Sequence, residues 1–170
     1  MKFPRLMRVR QQFDAPTVEA IPETIRSEMA KLDLGSRVNK GDSVAISVGS
    51  RGIANIALIA KSVIGELRAL GAEPFVVPAM GSHGGGTAEG QRAIVEAYGV
   101  TEEYIGAPIR ATMEVEKVSE TEDGVPVYFH KYAFEADHVV VMGRVKPHTS
   151  FNGEIESGLH KMMLIGLGKH

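Results

Sequence analysis

Residues 43–87, SVAISVGSRGIANIALIAKSVIGELRALGAEPFVVPAMGSHGGGT, spell a strand, a turn and a helix, then a second strand and turn. The run 43–48 is short, apolar and rich in β-branched residues. Gly41-Asp42 precedes it and Gly49-Ser50-Arg51-Gly52 follows it, the pattern of a buried strand opening into a turn. Ile56, Ile59, Ala60, Val63, Ile64 and Leu67 then recur at helical spacing, and Gly71 stands where a left-handed residue ends a helix. The unit repeats with a strand over 74–77, a glycine loop over 79–86 and a helix over 87–98, with Thr87 as its N-cap. Strands alternating with helices predict an α/β fold, a three-layer, mostly parallel sheet with helices on both faces.

Working outward, residues 138–142 (HVVVM) supply a third strand and residues 155–165 a third helix, interrupted near Gly158. Residues 112–119 and 125–133 read as two strands around the acidic, glycine-ended turn 120–124, a β-hairpin excursion from the main sheet. Residues 5–12 read as a first strand. Residues 18–32 read as an amphipathic helix that tolerates Pro22 only in its first turn.

The 170 residues, 44% of them hydrophobic, suffice for one buried core, so a single domain is expected. A formal charge of -2 leaves no broad basic surface, which argues against nucleic acid as a partner. With no cysteine, disulfides and thiolate chemistry are excluded within this stretch. No apolar run reaches the length of a membrane span and the first residues lack a signal-peptide core, so the expected location is cytoplasmic. Residues 162–170 stop in apolar, glycine-punctuated sequence, as expected of a fragment of something longer.

In open α/β sheets, ligands bind beyond the carboxyl ends of the strands. There the loops 49–52, 81–86 and 146–153 should converge, bringing His83 and His148 together, with His160 as a third exposed imidazole. Histidine exchanges protons near neutrality, and two imidazoles on opposite faces of a substrate suit racemisation or epimerisation. They could equally be metal ligands, although no third ligand stands at a characteristic spacing. Gly84, Gly85, Gly86 and Thr87 precede a helix N-terminus and could cradle a phosphate, yet the loop matches neither a Walker nor a dinucleotide pattern. A tight turn with a helix cap is an equal reading. Arg51 can grip a carboxylate or phosphate, where a surface salt bridge is the commoner role. Lys161, among Leu159, Met162 and Leu164, offers an amine for covalent or cofactor chemistry, against the commoner snorkelling lysine. His160, its neighbour, should point elsewhere; His130 and His138 read as structural or merely exposed.

Taken together, AMGSHGGGT (79–87), VKPHTSFNG (145–153) and ESGLHKMMLIGLGKH (156–170) resemble the N-terminal part of the nickel-pincer lactate racemase family of 2-hydroxy-acid racemases and epimerases. The similarity covers most of residues 43–170. The resemblance implies a two-domain enzyme with its active site between this domain and a C-terminal domain outside this chain. It implies a nickel-pincer nucleotide cofactor, the nickel complex of pyridinium-3,5-bisthiocarboxylic acid mononucleotide, which accepts a hydride from the hydroxyl-bearing carbon. By match of motif, His83 and His148 would be the acid/base pair and Arg51 the anchor of the substrate carboxylate. Lys161 would contact or covalently hold the cofactor, and the glycine loop would approach its phosphate. Val48-Gly49-Ser50-Arg51 stands where the family's lactate racemases carry Asp-x-Thr-Arg, so lactate itself does not carry over to the expected small 2-hydroxy acid. The histidine completing the nickel site is expected beyond residue 170, with His170 as a poorly spaced substitute, so no complete metal site is expected in this chain. The isolated domain is then expected to be inactive, and a homo-oligomer stays open. Two alternatives remain: a non-catalytic phosphate- or nucleotide-binding domain, and a divalent-metal hydrolase or lyase.

Overall fold

A computed structural model describes residues 6–146, 152–154 and 156–169 of the chain. Its sheet is built on β1 (Ser43–Val48), which pairs in parallel with β2 (Glu73–Pro78) on one side and β5 (His138–Val140) on the other. A further parallel bridge joins Val76 to Ile109, where Val76 N–H donates to Pro108 O at 2.9 Å and Arg110 N–H to Val76 O at 2.8 Å. Bonded along both edges and covered on both faces, β1 has no solvent side, hence its nearly continuous apolar run. Successive side chains point to opposite faces. Val44, Ile46 and Val48 join Val76 in one core cluster, while Ala45 joins Phe75 and Val77 in another.

The first cluster is closed by α2 (Ile56–Ala69) through Ala60, Ile64 and Leu67, with α1 (Ile21–Ala30) packed outside it. Val95 of α3 (Ala88–Ala97) and Ile105 of α4 (Glu102–Ile105) complete that layer. Pro22 lies in the first turn of α1, where its missing N–H has no helical partner to lose. The second cluster is closed by Ala133 of α5 (Lys131–Phe134), by Phe129 and by Leu167. Helices therefore cover both faces, as expected. The hairpin pairs β3 (Val115–Glu120) with β4 (Pro126–His130) in antiparallel fashion, closed by Thr121 N–H to Val125 O and Gly124 N–H to Thr121 O, both 2.9 Å.

Several boundaries differ from the sequence reading, the first helix and first hairpin strand among them, which run over Ile21–Ala30 and Val115–Glu120. Residues 6–12 form no strand and are exposed, Leu6 at 98% and Met7 at 83%. The contact made on the outer side of β2 is instead the bridge from Val76 to Ile109. The second hairpin strand ends at His130 because the next residues turn into α5, which drops Ala133 into the core. β5 stops pairing at Val140, and the Ser47 hydroxyl takes over as acceptor of the Met142 N–H at 2.9 Å. The third helix starts after Gly158 (φ 78°) as α6 (Leu159–Lys161) and widens into a π-helical stretch, Met162–Leu167. That stretch lays Gly166 on the backbone of Ala79, so closely that a Cβ there would sit 2.8 Å from Ala79 O. No helix among the described residues is long and apolar enough to cross a membrane.

Ile46 is fully buried at the centre of β1. Ile46→Ala is expected to lower unfolding free energy by about 2–5 kcal/mol, read as a lower urea midpoint with an unchanged slope. Leu6→Ala, at an exposed site, should change it by no more than about 0.5 kcal/mol.

Candidate active site

The carboxyl ends of β1 and β2 are held together by Ala79 N–H donating to Val48 O at 2.8 Å, and the loops leaving them meet. Ser50 Oγ lies 2.5 Å from His83 Nδ1. The Tyr98 hydroxyl, from the end of α3, donates to Ser50 O at 2.8 Å and fixes the first loop from behind. Gly52 packs on the same ring, where a Cβ would lie 3.5 Å from Tyr98 Cε1. Arg51, next to Ser50, is exposed and has no ion-pair partner among the described residues. Two of the three expected loops therefore converge. His148 and the neighbouring Thr149 and Ser150 lie outside the described residues.

The glycine loop turns through three successive left-handed residues, Gly84, Gly85 and Gly86, with φ of 68°, 68° and 65°. They do different work. A Cβ on Gly84 would stand 2.7 Å from Gln91 N, so that residue is needed for close packing on the first turn of α3, whereas Gly85 and Gly86 face open space. Thr87 caps α3: its hydroxyl accepts from Gly90 N–H at 3.1 Å and donates to Gly84 O at 3.2 Å. The turn-and-cap role therefore accounts for Gly84 and Thr87, and Gly85 and Gly86 are the glycines left exposed to a ligand. From within, Gln91 Nε2 donates to Gly81 O at 2.6 Å and His83 O at 3.2 Å.

Lys161 is half-buried on the wall of a groove of about 790 Å³ between β4 and the C-terminal helix, whose apolar lining includes Val127, Phe129 and Ile165. That volume falls in the range of small-molecule sites. His160 lines the same groove and also a smaller hollow of about 320 Å³ beside Lys146 and Glu154. Of the two neighbours, His160 alone reaches that second hollow. Neither His83 nor Arg51 lines either hollow. The two regions touch through backbone: Gly81 N–H donates to Gly166 O at 3.2 Å. Met162 also packs over both sheet ends, on Gly49 and Gly143.

Of two further buried groups, Lys169 escaped the sequence reading and His130 bears out its structural alternative. Lys169 is 2% exposed, with Nζ donating to Gln91 Oε1 at 2.5 Å and Thr112 O at 2.7 Å. Burial lowers its pKa to about 8. His130 is fully buried with neither ring nitrogen hydrogen-bonded. Its pKa is pushed down to about 3, chiefly by burial and then by the Lys169 charge. One signal existed: Gln91 occupies a core-facing helical position one turn before Val95, and a buried amide needs partners. His138 is structural, as expected. Its Nε2 meets Asp42 Oδ2 at 2.9 Å, and Asp42 is held below the usual carboxylate range by the Asn39 N–H and then by His138. Among the described residues no group of three or more His, Asp or Glu side chains is placed to hold a metal ion.

The sequence profile of the family described as lactate racemase N-terminal domain matches residues 6–170. No curated protein and no solved structure matches the chain.

His130 yields a pH prediction. Its folded pKa lies below the ordinary 6.5, so the unfolded chain takes up its proton first. The contribution is fully present above pH 6.5 and is lost as pH falls toward 3. His130→Phe removes this proton uptake, and urea unfolding at pH 4 and pH 7 should then differ less than in the parent.

Proposed function

Because this chain belongs to the lactate racemase N-terminal domain family, we propose that it carries the acid/base machinery of a racemase or epimerase acting on a small 2-hydroxy acid. The observation that carries this reading is the 2.5 Å contact of Ser50 Oγ with His83 Nδ1, at the sheet edge where α/β folds bind ligands. With Nδ1–H donated to the serine oxygen, Nε2 keeps its lone pair and serves as the proton acceptor. His83 takes the proton from the substrate hydroxyl as the carbon beneath it loses its hydrogen, leaving a 2-oxo acid. The proton returns to oxygen when hydrogen is redelivered to the opposite face. His148, by motif, is the second acid/base group. Arg51, exposed and unpaired among the described residues, binds the carboxylate bidentately.

The donor set suits the family's nickel-pincer nucleotide: Lys161 is a half-buried amine on a groove of about 790 Å³, with His160 beside it. Lys161 and His160 would hold the group from one side, and the exposed turn at Gly85, with its backbone N–H, would suit its phosphate. When bound, it supplies the acceptor for the hydrogen on the hydroxyl-bearing carbon. The remaining wall of the site, and the remaining metal ligand, would come from a C-terminal domain of the parent enzyme.

The parent enzyme, loaded with cofactor, should interconvert the enantiomers of a 2-hydroxy acid in D₂O without placing deuterium on the carbinol carbon. Deuterium there would mean proton abstraction from carbon and would overturn the hydride reading. His83→Ala should cut the rate by about 10²–10⁴-fold. Ser50→Ala removes one orienting hydrogen bond of about 1 kcal/mol, about a fivefold loss. The 170-residue chain alone should show no turnover.

A further inference from the structure

Lys169 is buried beside no carboxylate among the described residues, an arrangement that disfavours its charged form and calls for a reason. Its surroundings are ordered by donor type. An ammonium can only donate, and a backbone carbonyl can only accept. Gln91, fully buried between them, can satisfy both only with Oε1 toward Lys169 and Nε2 toward the carbonyls of Gly81 and His83. The amide is thus fixed in one orientation, and it grips the loop on both sides of Ser82. The Gly81 N–H is held in turn by Gly166 O, from the helix that ends just before Lys169.

We propose that Lys169 is a positioning residue for His83, acting through the Gln91 amide to hold the glycine loop so that His83 Nδ1 meets Ser50 Oγ. The C-terminal segment carrying Lys161 and the loop carrying His83 are thereby one mechanical unit: displacing the former releases the latter. The tether stands on geometry alone, and only its consequence for turnover rests on the acid/base reading above.

The test is nitrogen-15 NMR of the histidine rings in the 170-residue chain, which needs no cofactor and no activity. In Lys169→Met, which fills the space without a donor, the His83 ring nitrogens should shift toward the averaged values of a free imidazole as the serine contact is lost. The His138 ring, bonded to Asp42 at the opposite end of the sheet, should stay unchanged and report an intact fold. Gln91→Glu keeps an acceptor for Lys169 but sets oxygen against the loop carbonyls, and should release His83 in the same way. Unchanged His83 signals in either folded variant overturn the proposal. If neither variant folds, the parent chain decides: slow hydrogen exchange of the Gln91 side-chain amide supports the tether, and exchange at the rate of an exposed glutamine overturns it. A turnover defect without any change in His83 signals would leave the acid/base reading intact while removing the tether.

Discussion

The double burial of β1 governs this molecule. A strand bonded on both edges and covered on both faces must satisfy its backbone through parallel neighbours, and each parallel neighbour must be reached by a crossover that returns to the starting end. β1, β2 and β5 therefore all finish at one rim, and every loop that follows a strand opens there. The meeting of Ser50 with His83 is a direct result. Two residues far apart in sequence become hydrogen-bonding neighbours because β1 and β2 run in register from Ser43 and Glu73 to Val48 and Pro78, and so reach the rim together.

On that rim, chemistry and support are divided among different elements. β1 and β2 deliver Ser50, Arg51 and His83 outward, with exposed side chains for Arg51 and His83. The inner side of the same loop is packed and polar: Gln91 binds two of its carbonyls and Gly84 lies flat on α3. The C-terminal helix closes the assembly from the second face, its π-helical turns bringing Gly166 onto Ala79 and Met162 over Gly49 and Gly143. A regular α-helix would space these contacts differently, and widened turns of this kind are frequent at functional sites.

Much of this was legible from residues alone, because period and punctuation coincide over 43–99. The β-branched run of β1, the helical recurrence from Ile56 to Leu67, the Thr87 cap and the terminal glycines all point to the same elements. Residues 6–12 misled because local sequence shows only that a strand could form, whereas a strand also needs a partner to pair with. The convergence of the loops carrying Arg51 and His83 was legible from topology, but the Ser50 contact was not, since it depends on how two turns bend. Lys169 was opaque for a related reason. A lysine after an apolar helix reads as a solvent-seeking end, and only the positions of Gln91 and Thr112 turn it inward. His148 itself lies outside the described residues.

The margins of the main sheet have a consequence for life in a crowded solution. One border is β5, only three residues long. The other is a lone bridge at Ile109 beside Pro108, a residue with no amide hydrogen to offer. Among the described residues, neither border presents a long regular ladder for a strand of another molecule to join, and the same brevity that limits the sheet works against edge-to-edge aggregation.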